Sequence, residues 1–201
     1  MLKTRDNSFV EYSIIKYGKH FMIIHFVTGN DRKIGEARLA CNSAGIEVIK
    51  SPLDISEIQS DDPQEISVHK AKEAFKLLKK PLVVTDTNFS IPALKGFPGA
   101  YMKYVADWFR PEDFILLMSD KHDKTISFSE NITYIDKSGI KKFSKQFFGK
   151  IVDEPRGTGN SIENVAEFES FTLGERREQG GFSHKPEDYV WSEFAKWYTD
   201  K

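Results

Sequence analysis

The segment FMIIHFVTGNDRKIGEARLACNSAGIEVIK, residues 21–50, decides the fold. Its first seven residues form a short, continuous apolar run rich in β-branched and aromatic side chains, the pattern of a buried strand. After Thr28-Gly29-Asn30 the period changes. Ile34, Ala37, Ala40, Cys41 and Ala44 recur at helical spacing, which predicts a helix from about Asp31 to Ala44 with Gly45 as its stop. IEVIK, 46–50, reads as a second strand. Strand, turn, helix and strand in this order predict an α/β sheet.

The rest of the chain extends that unit. In DDPQEI, Asp62 is placed to cap a helix, with Pro63 at its first position and Glu65 completing a capping box. That helix turns Ile66, Ala71, Ala74, Phe75 and Leu78 inward and ends near Lys80-Pro81. A strand over 82–85 follows, ending on Asp86, and then a loop holding Pro92, Gly96, Pro98 and Gly99. AYMKYVADWF and PEDFILLM read as two short helices broken at Pro111. Alternation from 125 to 152 predicts a long β-hairpin turning at Lys137-Ser138-Gly139, and 186–198 an amphipathic helix. Residues 1–20 read as an N-terminal extension, with FVEYSII a short edge strand, ahead of a single domain over 21–201.

Composition narrows the class. A chain of 201 residues, 39% apolar and 29% charged, can bury a core as one soluble globular unit. The net charge of −1 offers no electrostatic case for nucleic acid or an anionic membrane as partner. No apolar run reaches transmembrane length, and the N-terminus lacks the apolar core of a signal peptide. Cys41 is the single cysteine, so there is no intrachain disulfide and no cysteine-based zinc site. On the apolar side of its helix it reads as a packed hydrophobe, and a cytoplasmic location is expected.

In open α/β sheets ligands bind at the carboxyl ends of strands. Two motifs lie there. TGNDRK is either an ordinary cap and turn or an anion site, in which Gly29 permits close backbone approach and Lys33 folds over a phosphate. It lacks the spacing of a Walker loop. Asp86 is either a turn residue or a metal ligand or base, and the Pro/Gly loop behind it suits a site needing fixed backbone.

FVTGNDRKIGE resembles the opening T-G-N-x-x-K-x-x-E signature of the inosine triphosphate pyrophosphatase family, which hydrolyses non-canonical nucleoside triphosphates. DTNFSIPALKGFPGAYMK is similar to that family's central motif, and SEIQSDDPQEIS and GKIVDEPRG follow its order. The resemblance runs from about residue 22 to the C-terminus. It implies an elongated mixed β-sheet flanked by helices, with two lobes about a central substrate cleft, and a homodimer. It further implies that Thr28, Gly29, Asn30 and Lys33 bind triphosphate, that Glu57 and Asp86 hold Mg2+, and that Asp86 activates water. Lys70, Thr87 and Lys103 match substrate contacts, as do Ser183, His184 and Lys185 near the C-terminus.

The chain departs from that pattern in three places. Thr85 stands where the family has an acid before its aspartate. No F-G-Y/W-D-P element follows Pro155-Arg156-Gly157, Phe168 being the nearest aromatic. Ser183-His184-Lys185 replaces S-H-R, Gln179 takes the place of an upstream lysine, and Glu175 in TLGE echoes a family glutamate. A lysine is a flexible point charge and does not replace the planar fork of an arginine. The reading is a magnesium-dependent nucleoside triphosphate pyrophosphatase. Its rivals are a nucleotide-binding protein that has lost turnover and a hydrolase of the same fold acting on another triphosphate.

Overall fold

Residues 22–56, 58, 60, 62–180 and 189–201 are described by a computed structural model. The opening unit is as predicted: β1 (Met22–Phe26), α1 (Asp31–Ser43) and β2 (Ile46–Lys50), with β1 and β2 parallel along their whole length. Asn30 caps α1, its side-chain oxygen accepting the backbone N–H groups of Arg32 and Lys33. Gly45 follows in the left-handed region, φ +74°, where a side chain would be strained. Cys41 is buried in the core and its thiol is pushed up to about 12 by burial, so it packs as a small hydrophobe.

α2 (Pro63–Leu78) starts at the predicted cap, Asp62 accepting the Gln64 N–H. The expected reciprocal bond from Glu65 is replaced: its carboxylate accepts the Ser60 hydroxyl at 2.8 Å. The following strand is longer than predicted. β3 (Leu82–Ser90) does not end on Asp86 but runs four residues past it. The reason is its partner, β5 (Thr125–Asp136), which stays in antiparallel register from Leu82↔Ile135 to Ser90↔Ser127. Thr85, Thr87 and Phe89 suit an extended chain, and the reversal begins only at Ile91. A short 3-10 turn (Pro92–Leu94) then leads through Gly96 to β4 (Pro98–Gly99), which returns against Phe89 and Ser90.

α3 (Met102–Trp108) and α4 (Pro111–Met118) are the two short helices, and β5 with β6 (Gly139–Ile151) is the hairpin. Three later elements went unread in the sequence: β7 (Ala166–Phe168), β8 (Phe171–Thr172) and α5 (Leu173–Glu178). The last helix, α6, spans Val190–Thr199. The expected extension over 1–20 and the first turn of the helix predicted from 186 lie outside the described residues.

Among the described residues eight strands form one mixed sheet in the order β2-β1-β3-β5-β6-β7-β8, with β4 paired to β3, and most neighbours are antiparallel. Opposed residues on neighbouring strands share a face. One face carries two apolar clusters. The first joins Val83, Ile132 and Tyr134 to α1 and α6. The second joins Phe89, Ile126 and Phe128 to α4 and the β7–α5 region. On the other face α2 covers Leu82, Val84 and Ile135. Between the two clusters, β3 and β5 present Thr85, Thr87 and Glu130 in place of apolar side chains.

Phe194 centres the first cluster. It is fully buried and meets the rings of Tyr134, Phe143, Trp191, Trp197 and Tyr198. Phe194→Ala is expected to lower unfolding free energy by about 3–5 kcal/mol in urea titration. Leu77→Ala, at a side chain 65% exposed, is expected to change it by no more than about 0.5 kcal/mol.

Candidate functional site

β1 pairs with β3 only at His25↔Leu82 and Phe26↔Val83, while β4 pairs with it only at Phe89 and Ser90. Between those contacts no strand among the described residues lies beside that edge of β3, and Asp86 stands in the gap. A cleft of about 700 Å³ opens there. Asn30, Arg32 and Lys33 line it from the cap and first turn of α1, and Ile55, Ile58 and Ser60 from the loop before α2. Asp86, Thr87 and Phe89 contribute from β3, and Tyr101, Lys103 and Tyr104 from α3 and its approach. Phe128, Asn160, Glu163 and Leu173 reach it from the second lobe.

Of the residues singled out in the sequence, Asn30, Lys33, Asp86, Thr87 and Lys103 therefore share one cleft. Thr28 and Gly29 belong to the turn behind Asn30, where the Thr28 hydroxyl accepts the Asn30 N–H at 3.1 Å. A Cβ at Gly29 would meet no atom within 4 Å, so packing alone does not demand glycine there. Lys70 lies on α2, close enough to Lys33 to lower its proton affinity. Glu57, Ser183, His184 and Lys185 lie outside the described residues.

The electrostatics centre on Lys33. Burial holds its ammonium below the ordinary lysine range, and Asp86 opposes that by favouring the charged form. Next to it, Arg32 forms an ion pair with the buried Glu36 at 2.7 Å. The net effect of burial leaves the Glu36 carboxyl above its usual range despite that partner. Among the described residues no group of three histidine, cysteine or acidic side chains is placed to hold a metal. Among the described residues Asp86 and Glu163 bring carboxylates to the cleft, the kind of ligand a hard cation takes with phosphate oxygens, and Glu163 is already paired with Arg177.

The loop after β6 was read in the sequence as lacking a base-holding element, and the structure shows what stands there. Gly157 has φ +77°, and a Cβ on it would sit 2.1 Å from the Glu175 nitrogen, so only glycine fits. Arg156 is held by Glu167 and Glu175. Glu175 caps α5 in a reciprocal pair with Thr172, which accounts for it structurally. Asn160 and Glu163 are bonded to each other through backbone and side chain, and Arg177 pairs with Glu163. Phe168 is buried against Phe128 and is not free to stack on a ligand. Asn160, Glu163 and the Phe89–Phe128 ring pair, centroids 5.0 Å apart, were missed because nothing local in the sequence links them to Asp86.

Glu130 was also missed. It is 9% exposed, and burial first, then Glu36, push its carboxyl up to about 7. A carboxyl raised above its unfolded value stabilises the fold below that value, and the contribution is lost as pH rises to the folded one. Glu130→Gln, which does not ionise, is expected to gain on the wild type between about pH 4.5 and 7, by up to about 3 kcal/mol in urea titrations. Parallel stability curves for the two proteins would contradict this.

Comparison with known proteins follows the same outline. The model of the Ham1 family matches residues 24–162. A "dITP/XTP pyrophosphatase" of Methanosarcina acetivorans is 34% identical over 182 residues, 89% of this chain and 98% of that protein. "Inosine triphosphate pyrophosphatase 2" of Trypanosoma cruzi is 34% identical over 150 residues, 74% of this chain and 76% of that one. Among solved structures, a HAM1 protein from Coxiella burnetii superposes with a TM-score of 0.76 at 20% identity, covering 90% of this chain and all of the other.

Proposed function

This chain belongs to the Ham1 family, and from that premise we propose that it hydrolyses non-canonical purine nucleoside triphosphates, of the dITP, XTP and ITP kind, to the monophosphate and pyrophosphate. One observation carries the reading. The cleft gathers Asn30, Lys33, Asp86, Thr87 and Lys103 in a chain that matches a dITP/XTP pyrophosphatase over 98% of that protein's length.

The chemistry is an in-line attack. A water oxygen bonds to phosphorus, the anhydride P–O bond breaks, and pyrophosphate leaves. Asp86 takes the proton of the attacking water. Negative charge on the phosphate oxygens is met by Lys33, Lys70 and Lys103, which act as point charges. A phosphate at the start of α1 would compete with the Asn30 oxygen for the N–H groups of Arg32 and Lys33. It would also return the Lys33 ammonium toward its ordinary range. Thr28 and Gly29 shape that turn, and Thr87 lies beside the reacting phosphates.

Asp86 and Glu57 fit Mg2+, which keeps one or two protein carboxylates and completes its shell from substrate and water. When bound, the ion supplies neutralising charge to the phosphate oxygens. Ser183, His184 and Lys185 are assigned to the base. The same reading carries a homodimer, a cytoplasmic location, and residues 1–20 as an extension outside the catalytic domain. A second reading, the same hydrolysis with altered base preference, is favoured by Asn160 and Glu163. Both side chains are polar and line the cleft.

The test is pyrophosphate release from dITP, XTP and ITP beside dATP and dGTP. Release from the first group, its loss on chelation and its return with Mg2+ are expected. Asp86→Asn is expected to lower kcat by about 10²–10⁴ while the protein still binds nucleotide. Release chiefly from the standard nucleotides would favour the second reading. No release from any triphosphate would overturn both.

A further inference from the structure

Beside the cleft, at the polar patch of β3 and β5, lies a small cavity of about 20 Å³ that shares Lys33, Asp86 and Thr87 with it. Its walls include Lys33 and Glu36 from α1, Thr85 and Glu130 from the sheet, and Val190 and Trp191 from α6. Glu130 and Thr85 project from one face of the sheet, because Glu130 is opposed to Thr87 and Thr85 lies two residues earlier on the same strand. The Glu130 carboxylate accepts the first backbone N–H of α6, that of Val190. Its Oε2 is buried without a hydrogen-bond partner, and so is Thr85 Oγ1.

A buried polar atom left unpaired costs about 1–3 kcal/mol, and two on one small cavity call for a shared partner. A water fits in about 10–15 Å³ of such space and needs two to four polar neighbours. The cavity meets both conditions.

We propose that Thr85 and Glu130 hold one buried water beside the cleft, and that through it Glu130 is a positioning residue for the Thr85–Thr87 segment of β3 that carries Asp86. The bridge links the first turn of α6 to the middle of β3, at the stretch where no other strand holds that edge. Glu130 touches neither substrate nor metal in this role. Its effect is on where Asp86 stands. The positioning role rests on the hydrolase reading above, whereas the water site does not.

A high-resolution crystal structure tests the site directly. A water about 3 Å from both Thr85 Oγ1 and Glu130 Oε2 is expected. An empty cavity, or direct contact between the two side chains, overturns the proposal. The kinetic arm uses Thr85→Val, nearly isosteric, and Glu130→Leu, with pyrophosphate release from dITP as readout. Each is expected to lower kcat about ten- to a hundredfold with KM little changed, as a displaced reacting group does. Thr85→Ser, which restores the hydroxyl, is expected to recover most of the rate. Wild-type kcat in Thr85→Val overturns the positioning role, and that variant decides the matter where Glu130→Leu fails to fold. A wild-type protein that releases no pyrophosphate overturns the positioning role together with the hydrolase reading, while the crystallographic water still decides the site.

Discussion

The antiparallel ladder between β3 and β5 is the constraint on which the rest depends. It runs unbroken from Leu82↔Ile135 to Ser90↔Ser127, and the other strands join it directly or through a neighbour. At the Leu82 end, β1 joins in parallel and brings α1 with it. At the Ser90 end, β4 joins and brings α3. A strand has two edges, and β3 gives one to β5 along its full length. The other is shared by two short partners that do not meet. The cleft is the space between them.

That arrangement explains why the residues of the face change character in mid-strand. Strand faces alternate strictly, so an apolar cluster continues only while every second residue is apolar. On β3 the sequence Val83, Thr85, Thr87, Phe89 leaves one cluster and enters the next with two threonines between. On β5 the matching sequence is Ile132, Glu130, Phe128. The two cores are separated by a polar layer one register wide, and Asp86 stands on the opposite side of the same strand. The lobes are thus two cores strung on one ladder, with the polar side chains that line the cleft where the apolar pattern is interrupted.

The sequence made half of this legible. The β1–α1–β2 unit announced itself through period and caps, since Asn30 and Gly45 act within a few residues of their own position. The hairpin was legible for the same reason. The extent of β3 was not, because what keeps it extended past Asp86 is a partner about forty residues away. Pro92, Gly96, Pro98 and Gly99 pulled the expected strand end too early, although they shape only the turn beyond Ser90. β7, β8 and α5 escaped because they are short and held by long-range contacts such as Arg156 with Glu167 and Arg177 with Glu163. The cleft residues Asn30, Lys33 and Asp86 were readable from strand-end position. Asn160, Glu163 and Glu130 were not, since each enters through a strand or loop whose register the local pattern does not set.

Thr85 takes on a different meaning in this light. Read along the chain, it is a neutral residue beside an acid. Read across the ladder, it shares a face and a cavity with Glu130, so a second carboxyl near Asp86 comes from the opposing strand. The distinction matters because a carboxyl on β5 answers to α6 and Glu36 as well as to the cleft. A charge adjacent in sequence would move with Asp86. A carboxyl across the ladder is held by the first turn of α6, so its place relative to Asp86 is set by the packing of the core.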